Sequence, residues 1–327
     1  MMTLKHEIGG YFEMERCLGR QYHEGAVALN CGRACIEYLI ELRGIKAVWL
    51  PDWMCVSVPR MFEKHGVIVK AYKIGLDLKP EYDFAIGDSE YLYLMDYYGQ
   101  LQLSDVEKAE DYCGGRLIVD EAQGFFRTPW KDADTFYTCR KFFGVADGGY
   151  LYTKDRAKLE RELPRSESYE HMEFLLGRFE RSASEFFSKS HTNEARFDNE
   201  PMAEMSLLTK NILCSIDYEN AKRRRKENFI YLHKYLGDQN LIKLCIPDGP
   251  FAYPFLKKGA EELRDQLAKQ GVYIPTLWPE TASFRTEAES VSRQFGLNIL
   301  PLPIDQRYGS EDMHYMINAI AKLQSSR

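Results

Sequence analysis

The chain is expected to fold as an α/β protein: a large domain with a mostly parallel mixed sheet flanked by helices, followed by a small α+β domain. Two patterns predict this. Short apolar runs alternate with helix-period segments from about residue 25 to 155, and a different alternation resumes after a long helical middle. With 327 residues and 45% apolar content, the chain has enough material for one substantial core and a lesser one.

Residues 1–20 read as an N-terminal arm, 21–222 as the large domain and 223–327 as the small one. The runs at 47–50, 67–69, 91–95, 117–119 and 149–152 are rich in Val, Ile, Leu and Tyr and do not strictly alternate, which fits strands buried on both faces. Helices are predicted between them over 33–43, 56–65 and 104–113. The middle, 156–198, suggests amphipathic helices, and no Gly or Pro interrupts it between Gly177 and Pro201. A second helical stretch, 205–236, carries Leu207, Leu208, Ile212, Ile216, Phe229, Leu232 and Leu236 at helical spacing. The tail then offers an apolar run at 251–256, a helix at 259–270, runs at 271–274 and 299–302, and a final helix at 310–323.

The net charge of −6 is dispersed, and its one dense basic run, Lys222-Arg223-Arg224-Arg225-Lys226, reads as a solvated helix face, so nucleic acid is not an expected partner. The N-terminus lacks the order of a secretory leader and no run approaches about 18 apolar residues, so a cytoplasmic protein with no membrane contact is expected. The eight cysteines show no Cys-x-x-Cys and no zinc spacing; reduced, mostly buried thiols and no metal are expected. No Gly-x-Gly-x-x-Gly follows an early strand, which speaks against a nicotinamide site.

Three local signals carry chemistry. Val119-Asp120-Glu121-Ala122-Gln123 places an acid at the C-terminal end of an apolar strand, where open α/β sheets hold their ligands. Such a carboxylate suits the protonated ring nitrogen of pyridoxal phosphate, though alone it reads equally as a helix cap. Thr138-Cys139-Arg140-Lys141, followed by Asp147-Gly148-Gly149, sets a hydroxyl for phosphate three residues before an amine for the cofactor aldehyde. The aromatic neighbours Phe136, Tyr137, Phe142 and Phe143 are expected to desolvate that amine. Leu29-Asn30-Cys31-Gly32-Arg33-Ala34 opens a helix whose free amides suit an anion.

With these residues in place, the chain resembles the DegT/DnrJ/EryC1/StrS family of pyridoxal-phosphate enzymes, of the fold-type I, aspartate-aminotransferase-like superfamily. Cys31-Gly32-Arg33-Ala34 is similar to the family's phosphate turn, Leu50-Pro51-Asp52-Trp53-Met54-Cys55 and Tyr97-Tyr98-Gly99-Gln100 to its strand exits, and Asp120-Glu121-Ala122-Gln123 and Arg140-Lys141 to its acid segment and lysine loop. Tyr253-Pro254, Leu277-Trp278-Pro279 and the segment from Leu302 to Tyr308 resemble its small domain.

The resemblance implies that Lys141 binds the cofactor covalently and shuttles the proton, Asp120 holds the pyridinium and Gln123 lies by the phenolic oxygen. It further implies that Thr138, Cys31, Gly32 and Arg33 surround the phosphate and that Trp53, or alternatively Cys55, covers the ring. It implies an aminotransferase working as a homodimer, with an amino-acid donor, glutamate, and a keto acceptor of the nucleotide-linked sugar kind. A lyase or decarboxylase on the same cofactor, and a non-catalytic binding or regulatory protein, are the alternatives. Where many members carry an Asn-Tyr-Arg-like motif reaching across the dimer, this chain has Met202-Ala203-Glu204; Asn199, Ser206 and Lys210 are candidate replacements. Arg307, Tyr308, His191 and Trp278 are candidates for holding substrate.

Overall fold

The computed structural model describes residues 8–279 and 290–325. Seven strands form one sheet: β1 (Val27–Leu29), β2 (Ala47–Pro51), β3 (Ile68–Tyr72), β4 (Tyr91–Met95), β5 (Leu117–Asp120), β6 (Asp134–Thr138) and β7 (Gly149–Tyr152), in the order β1-β7-β6-β5-β4-β2-β3. From β6 to β3 every pairing is parallel, while β7 runs antiparallel to both β6 and β1. This is the mostly parallel sheet the sequence implies, with two additional strands. β1 is too short to show a period, and β6 opens on Asp134, buried because the Arg43 guanidinium meets its carboxylate at 2.7 Å.

The topology concentrates chain ends along one edge. β1 and the parallel strands all finish there, and antiparallel β7 begins there, as the registers Leu29↔Gly149 and Thr138↔Gly149 record. Asn30-Cys31-Gly32, Trp53, Asp96, Asp120 and Thr138 therefore end up at the same side of the sheet, though up to about a hundred residues apart in sequence.

Helix α1 (Gly32–Arg43) shows how the local sequence builds this edge. Cys31, in extended conformation, caps it by accepting the Ala34 N–H on Sγ at 3.4 Å, and Gly44 in the left-handed region stops it. Its apolar face (Ala34, Cys35, Ile36, Leu39, Ile40) packs toward β6 and β7, each large aliphatic contributing about 1.5–3 kcal/mol of burial. Helices α2 (Ser57–Lys64) and α3 (Leu103–Cys113) fill the β2–β3 and β4–β5 connections, close to their predicted bounds, whereas β3 reaches β4 without a helix.

The middle differs from a pair of core helices. α4 (Glu173–Glu180) buries no residue and α5 (Phe187–Arg196) only Asn193. They are separated without Gly or Pro at the break, because the Phe186 ring folds back so closely on Gly177 that any side chain there would collide with it. The stretch expected to run helically from 205 to 236 divides into α6 (Leu207–Leu213) and α7 (Tyr218–Leu236), the second capped by Asp217. α7 runs unbroken through the position of the expected domain boundary at 222. Ala221 near its start joins the aromatic cluster under β6 and β7, whereas Phe229, Leu232 and Leu236 join the small core.

That small core rests on an antiparallel pair, β8 (Tyr253–Leu256) and β9 (Ile299–Leu302), with α8 (Ala260–Lys269), α9 (Val291–Asn298) and α10 (Ser310–Ser325). The run at 271–274 is not a strand; Val272 and Ile274 are buried as loop residues. Helix α9 has no counterpart in the sequence reading. All eight cysteines are free, four of them buried and Cys245 exposed, so the thiols are less uniformly buried than expected. Among the described residues no helix is long and apolar enough to cross a membrane.

His23, in the segment leading to β1, is 4% exposed, stacks on Tyr137 with ring centroids 4.0 Å apart and bonds the Phe125 carbonyl at 2.8 Å. Burial drives its pKa from 6.5 down to about 4, against the pull of that carbonyl. Being a base with a depressed folded-state value, it favours folding fully above pH 6.5. That contribution falls by about 3 kcal/mol as pH drops toward 4 and the unfolded chain takes up the proton first. Urea unfolding of His23→Gln between pH 4 and 7 is expected to show a flatter stability profile than the wild type; parallel profiles would refute the assignment.

Candidate active site

Lys141 lies in the turn that leaves β6. Phe142 and Phe143 both donate their N–H groups to the Cys139 carbonyl at 2.9 Å, which folds the backbone tightly and leaves the lysine side chain exposed. Phe142 and Phe143 point the other way, into a buried cluster with Phe125, Phe126 and Tyr137. The expected aromatic desolvation of the amine is therefore corrected: these rings support the loop from behind, and a different ring, Phe251, has its centroid 5.8 Å from Lys141 Nζ.

Asp120 is 4% exposed at the last position of β5. Tyr93 on β4 donates its hydroxyl to Oδ2 at 2.6 Å and the Ala122 N–H donates to Oδ1 at 2.7 Å. Burial raises its pKa, opposed first by the positive charge of Lys141 and then by these two hydrogen bonds. Each oxygen retains a further acceptor site, so a cationic ring N–H is the partner this buried carboxylate suits. The neighbouring Glu121 is wholly buried beside Asp96, and burial followed by the Asp96 charge holds its carboxyl well above the usual range. Arg127 meets Asp96 at 3.1 Å and Trp130 donates to Glu121 at 2.6 Å.

Gln123 is 1% exposed. Its Oε1 accepts the Tyr98 N–H at 2.8 Å, an alignment that requires Tyr98 to sit in the left-handed region at φ 55°. Its Nε2 is buried with no partner. An orphan donor of this kind fits the phenolic oxygen of pyridoxal phosphate, and it is the feature by which the site itself tests positively for that group.

The phosphate turn and Thr138 touch. A Cβ on Gly32 would lie 2.8 Å from Thr138 Cγ2, so glycine is what lets the start of α1 meet the end of β6. Thr138 Oγ1 donates weakly to the Ala122 carbonyl at 3.5 Å. Gly148, at φ +119°, donates to the Asn30 carbonyl at 2.6 Å and fixes the turn from the other side. Asp147 accepts from Ser206 N and Oγ at 2.9 Å each, and also from Thr209, anchoring this loop to α6.

Other candidates fall elsewhere. Trp53 is fully buried, stacked on Tyr97 at 5.1 Å and packed against Trp278 and Phe295, with its indole Nε1 left without a partner. Cys55, half-buried, lies close enough to Tyr93 to act on its hydroxyl electrostatically, which brings it to the Asp120 side. Ser206 is committed to Asp147, and Lys210 lies 3.7 Å from Glu204, so neither is a free replacement for the missing motif. Met202 and Ala203 are buried in their own subunit, with Ala203 accepting the Asn30 N–H at 2.9 Å. Trp278 belongs to the Trp53 cluster, Arg307 is paired with Asp305 at 2.7 Å beside Tyr308, and His191 packs edge-on against Phe187.

One residue had been misread. Arg225, within the basic run taken as a solvated face, is 1% exposed. It donates to the carbonyls of Phe142 at 3.2 Å and Pro250 at 3.0 Å and to Gln306 Oε1 at 2.8 Å, while Gln306 Nε2 donates to Phe142 at 2.8 Å. Burial lowers its pKa to about 10, so it remains a cation, clamping the residue next to Lys141 onto the small domain. Its helical spacing from Ala221, Asn228, Phe229 and Leu232, all buried, was the available signal. Tyr93 has no local sequence signal for its role, and Tyr98, within the strand exit Tyr97-Tyr98-Gly99-Gln100, has none for its bond to Gln123.

No family model and no curated protein matches the sequence. Solved structures do match the fold. The PLP form of Spr1654 from Streptococcus pneumoniae, described as a sugar aminotransferase, aligns with a TM-score of 0.65 at 13% identity over 92% of this chain and 87% of that one. DesV of S. venezuelae, in complex with a ketimine intermediate, aligns at 0.62 and 16% identity over 91% and 84% of the two chains. A DegT DnrJ EryC1 StrS aminotransferase from Brucella abortus aligns at 0.61 and 14% identity over 92% and 86%. At such identities these are similarities of fold alone.

Because Arg225→Met strands several buried carbonyls around the lysine loop, it is expected to lower stability by about 2–3 kcal/mol. A urea midpoint unchanged from wild type would show that the clamp is not structural.

Proposed function

We propose that this protein is a pyridoxal-phosphate-dependent aminotransferase. It takes the amino group of an amino acid, glutamate, and transfers it to a keto acceptor of the nucleotide-linked sugar class. The observation that carries the proposal is the gathering of Asp120, Lys141, Thr138 and the Gly32 turn on one sheet edge, with the unpartnered Gln123 Nε2 among them.

When bound, pyridoxal phosphate supplies an electron sink that makes the amino acid's α C–H acidic. The chain's own groups do the rest. Lys141 Nζ would hold the aldehyde of the cofactor, and its amine is the base positioned to take up and give back the substrate's proton. Asp120, buried at the end of β5, would hold the ring nitrogen in its protonated form, and the unpartnered Gln123 Nε2 would donate to the phenolic oxygen. Thr138 Oγ1 and the amides at the start of α1 hold the phosphate.

Purified protein mixed with pyridoxal phosphate is expected to develop a visible absorbance band, and borohydride reduction to fix the cofactor's mass on the Lys141 peptide. Lys141→Ala should abolish the adduct and reduce transfer of labelled amino nitrogen from glutamate by at least about a thousandfold. A colourless mixture, or an adduct that survives in Lys141→Ala, would overturn the assignment.

The active form is proposed to be a homodimer. Along the N-terminal segment Tyr11, Phe12 and Leu18 are each 98% exposed, more apolar surface than a lone chain usually leaves in water. The segment is held to its own subunit by Asn211, which accepts the Cys17 N–H at 2.9 Å and donates to the Glu15 carbonyl at 2.9 Å. Light scattering at micromolar concentration is expected to give twice the chain mass, and removal of residues 1–14 to shift it toward monomer; a monomeric full-length protein would rule this out.

A further inference from the structure

Beside the phosphate turn lies a charge cluster that the reaction above does not use. Arg33, at the second position of α1, and Arg140, immediately before Lys141, converge on one carboxylate, Glu194 of α5. Arg33 Nη2 lies 3.1 Å from Glu194 Oε1 while Arg140 holds Oε2. Arg33 Nη1 also reaches Asp198 at 3.4 Å and the Glu194 carbonyl at 3.3 Å, and Arg140 lies 4.4 Å over the Phe197 ring.

Electrostatics place the cluster at the site. Burial would raise the Glu194 carboxyl, but Arg140, Arg33 and Lys141 together bring it down to about 2. Both arginines also act on the Cys31 thiol at the α1 cap, where burial dominates and raises it. Their charge thus lies at the helix start whose amides face an anion.

Three features argue that Glu194 occupies the place of another anion. First, Arg33, Arg140 and Lys141 face the carboxylates of Glu194 and Asp198, leaving one positive charge over; a dianion in place of Glu194 balances it. Second, the Glu194 side chain is 54% exposed, so displacing its carboxylate needs only a rotation of that side chain and no movement of α5, which Asn193 anchors to the Ala146 carbonyl at 3.0 Å and which ends on the buried Phe197. Third, paired guanidinium forks match the tetrahedral oxygens of a phosphate. Met202 and Ala203 are buried beside Asn30, and the segment 202–204 carries no arginine.

We propose that Arg33 and Arg140 form a clamp, within one subunit, for the phosphate of the cofactor, and that Glu194 stands in for the phosphate until cofactor entry displaces it. This rests on the cofactor assignment of the preceding subsection. Glu194 is then a competitor built into the chain, setting how readily phosphate-bearing cofactor is taken up.

The test compares pyridoxal phosphate with pyridoxal, which lacks the phosphate yet reacts with the same lysine. Affinities come from titrating the visible band, with borohydride trapping to locate the adduct, on the full-length protein. Arg33→Gln and Arg140→Gln should each weaken pyridoxal phosphate about tenfold while leaving pyridoxal within about twofold. Glu194→Gln, a substitution at an exposed position with little risk to folding, should tighten pyridoxal phosphate about tenfold, and make inorganic phosphate a correspondingly stronger competitor. The clamp is refuted if the arginine variants affect both aldehydes equally or neither, and the stand-in role is refuted if Glu194→Gln weakens or leaves unchanged the phosphate-dependent gain. Failure of both aldehydes to form an adduct at Lys141 in the wild type would instead remove the cofactor assignment, and the clamp with it.

Discussion

A carboxylate with almost no access to water, Asp120, is the constraint on which the site's construction turns. Placing such a group at a strand end is costly unless charge and hydrogen bonds meet it there, and they come from two other strands' worth of chain: the Tyr93 hydroxyl from β4 and the Lys141 charge from beyond β6. The β4–β5 register, with Met95 opposite Asp120, brings Tyr93 within reach, and the β5–β6 register sets where the lysine loop begins. A shift of one residue in either pairing would turn these side chains to the opposite face.

Close approach of backbone is the second requirement. Gly32 lets α1 come up against Thr138, and Gly148 turns back to the Asn30 carbonyl, so the helix start, the end of β6 and the start of β7 meet with no side chain between them. The lysine loop is then held from two sides. In front, Arg140 reaches Glu194 on α5; behind, Arg225 and Gln306 take the Phe142 carbonyl and tie the loop to the small domain. The rear contact is buried and the front one is exposed.

The buried acids Asp96 and Glu121 illustrate how polar groups are tolerated at this edge. Both lie at strand ends, where Arg127 meets Asp96 and Trp130 donates to Glu121 Oε1, while Glu121 Oε2 is buried without a partner.

By itself the sequence determined the α/β class, the positions of most strands and helices, and the residues with the chemistry: an acid at a strand exit, a lysine after a threonine, a glycine at a helix start. These are local properties, set by hydrophobic period and turn chemistry over a few residues. Tertiary structure alone decided which groups meet. Tyr93 with Asp120, Tyr98 with Gln123, Arg225 with Phe142 and Trp53 with Trp278 are separated by 27, 25, 83 and 225 positions, and each depends on strand register or domain packing. Periodicity tells which face of an element is buried but not what is buried against it. That is why Arg225 read as a surface charge until the packing placed it behind the lysine.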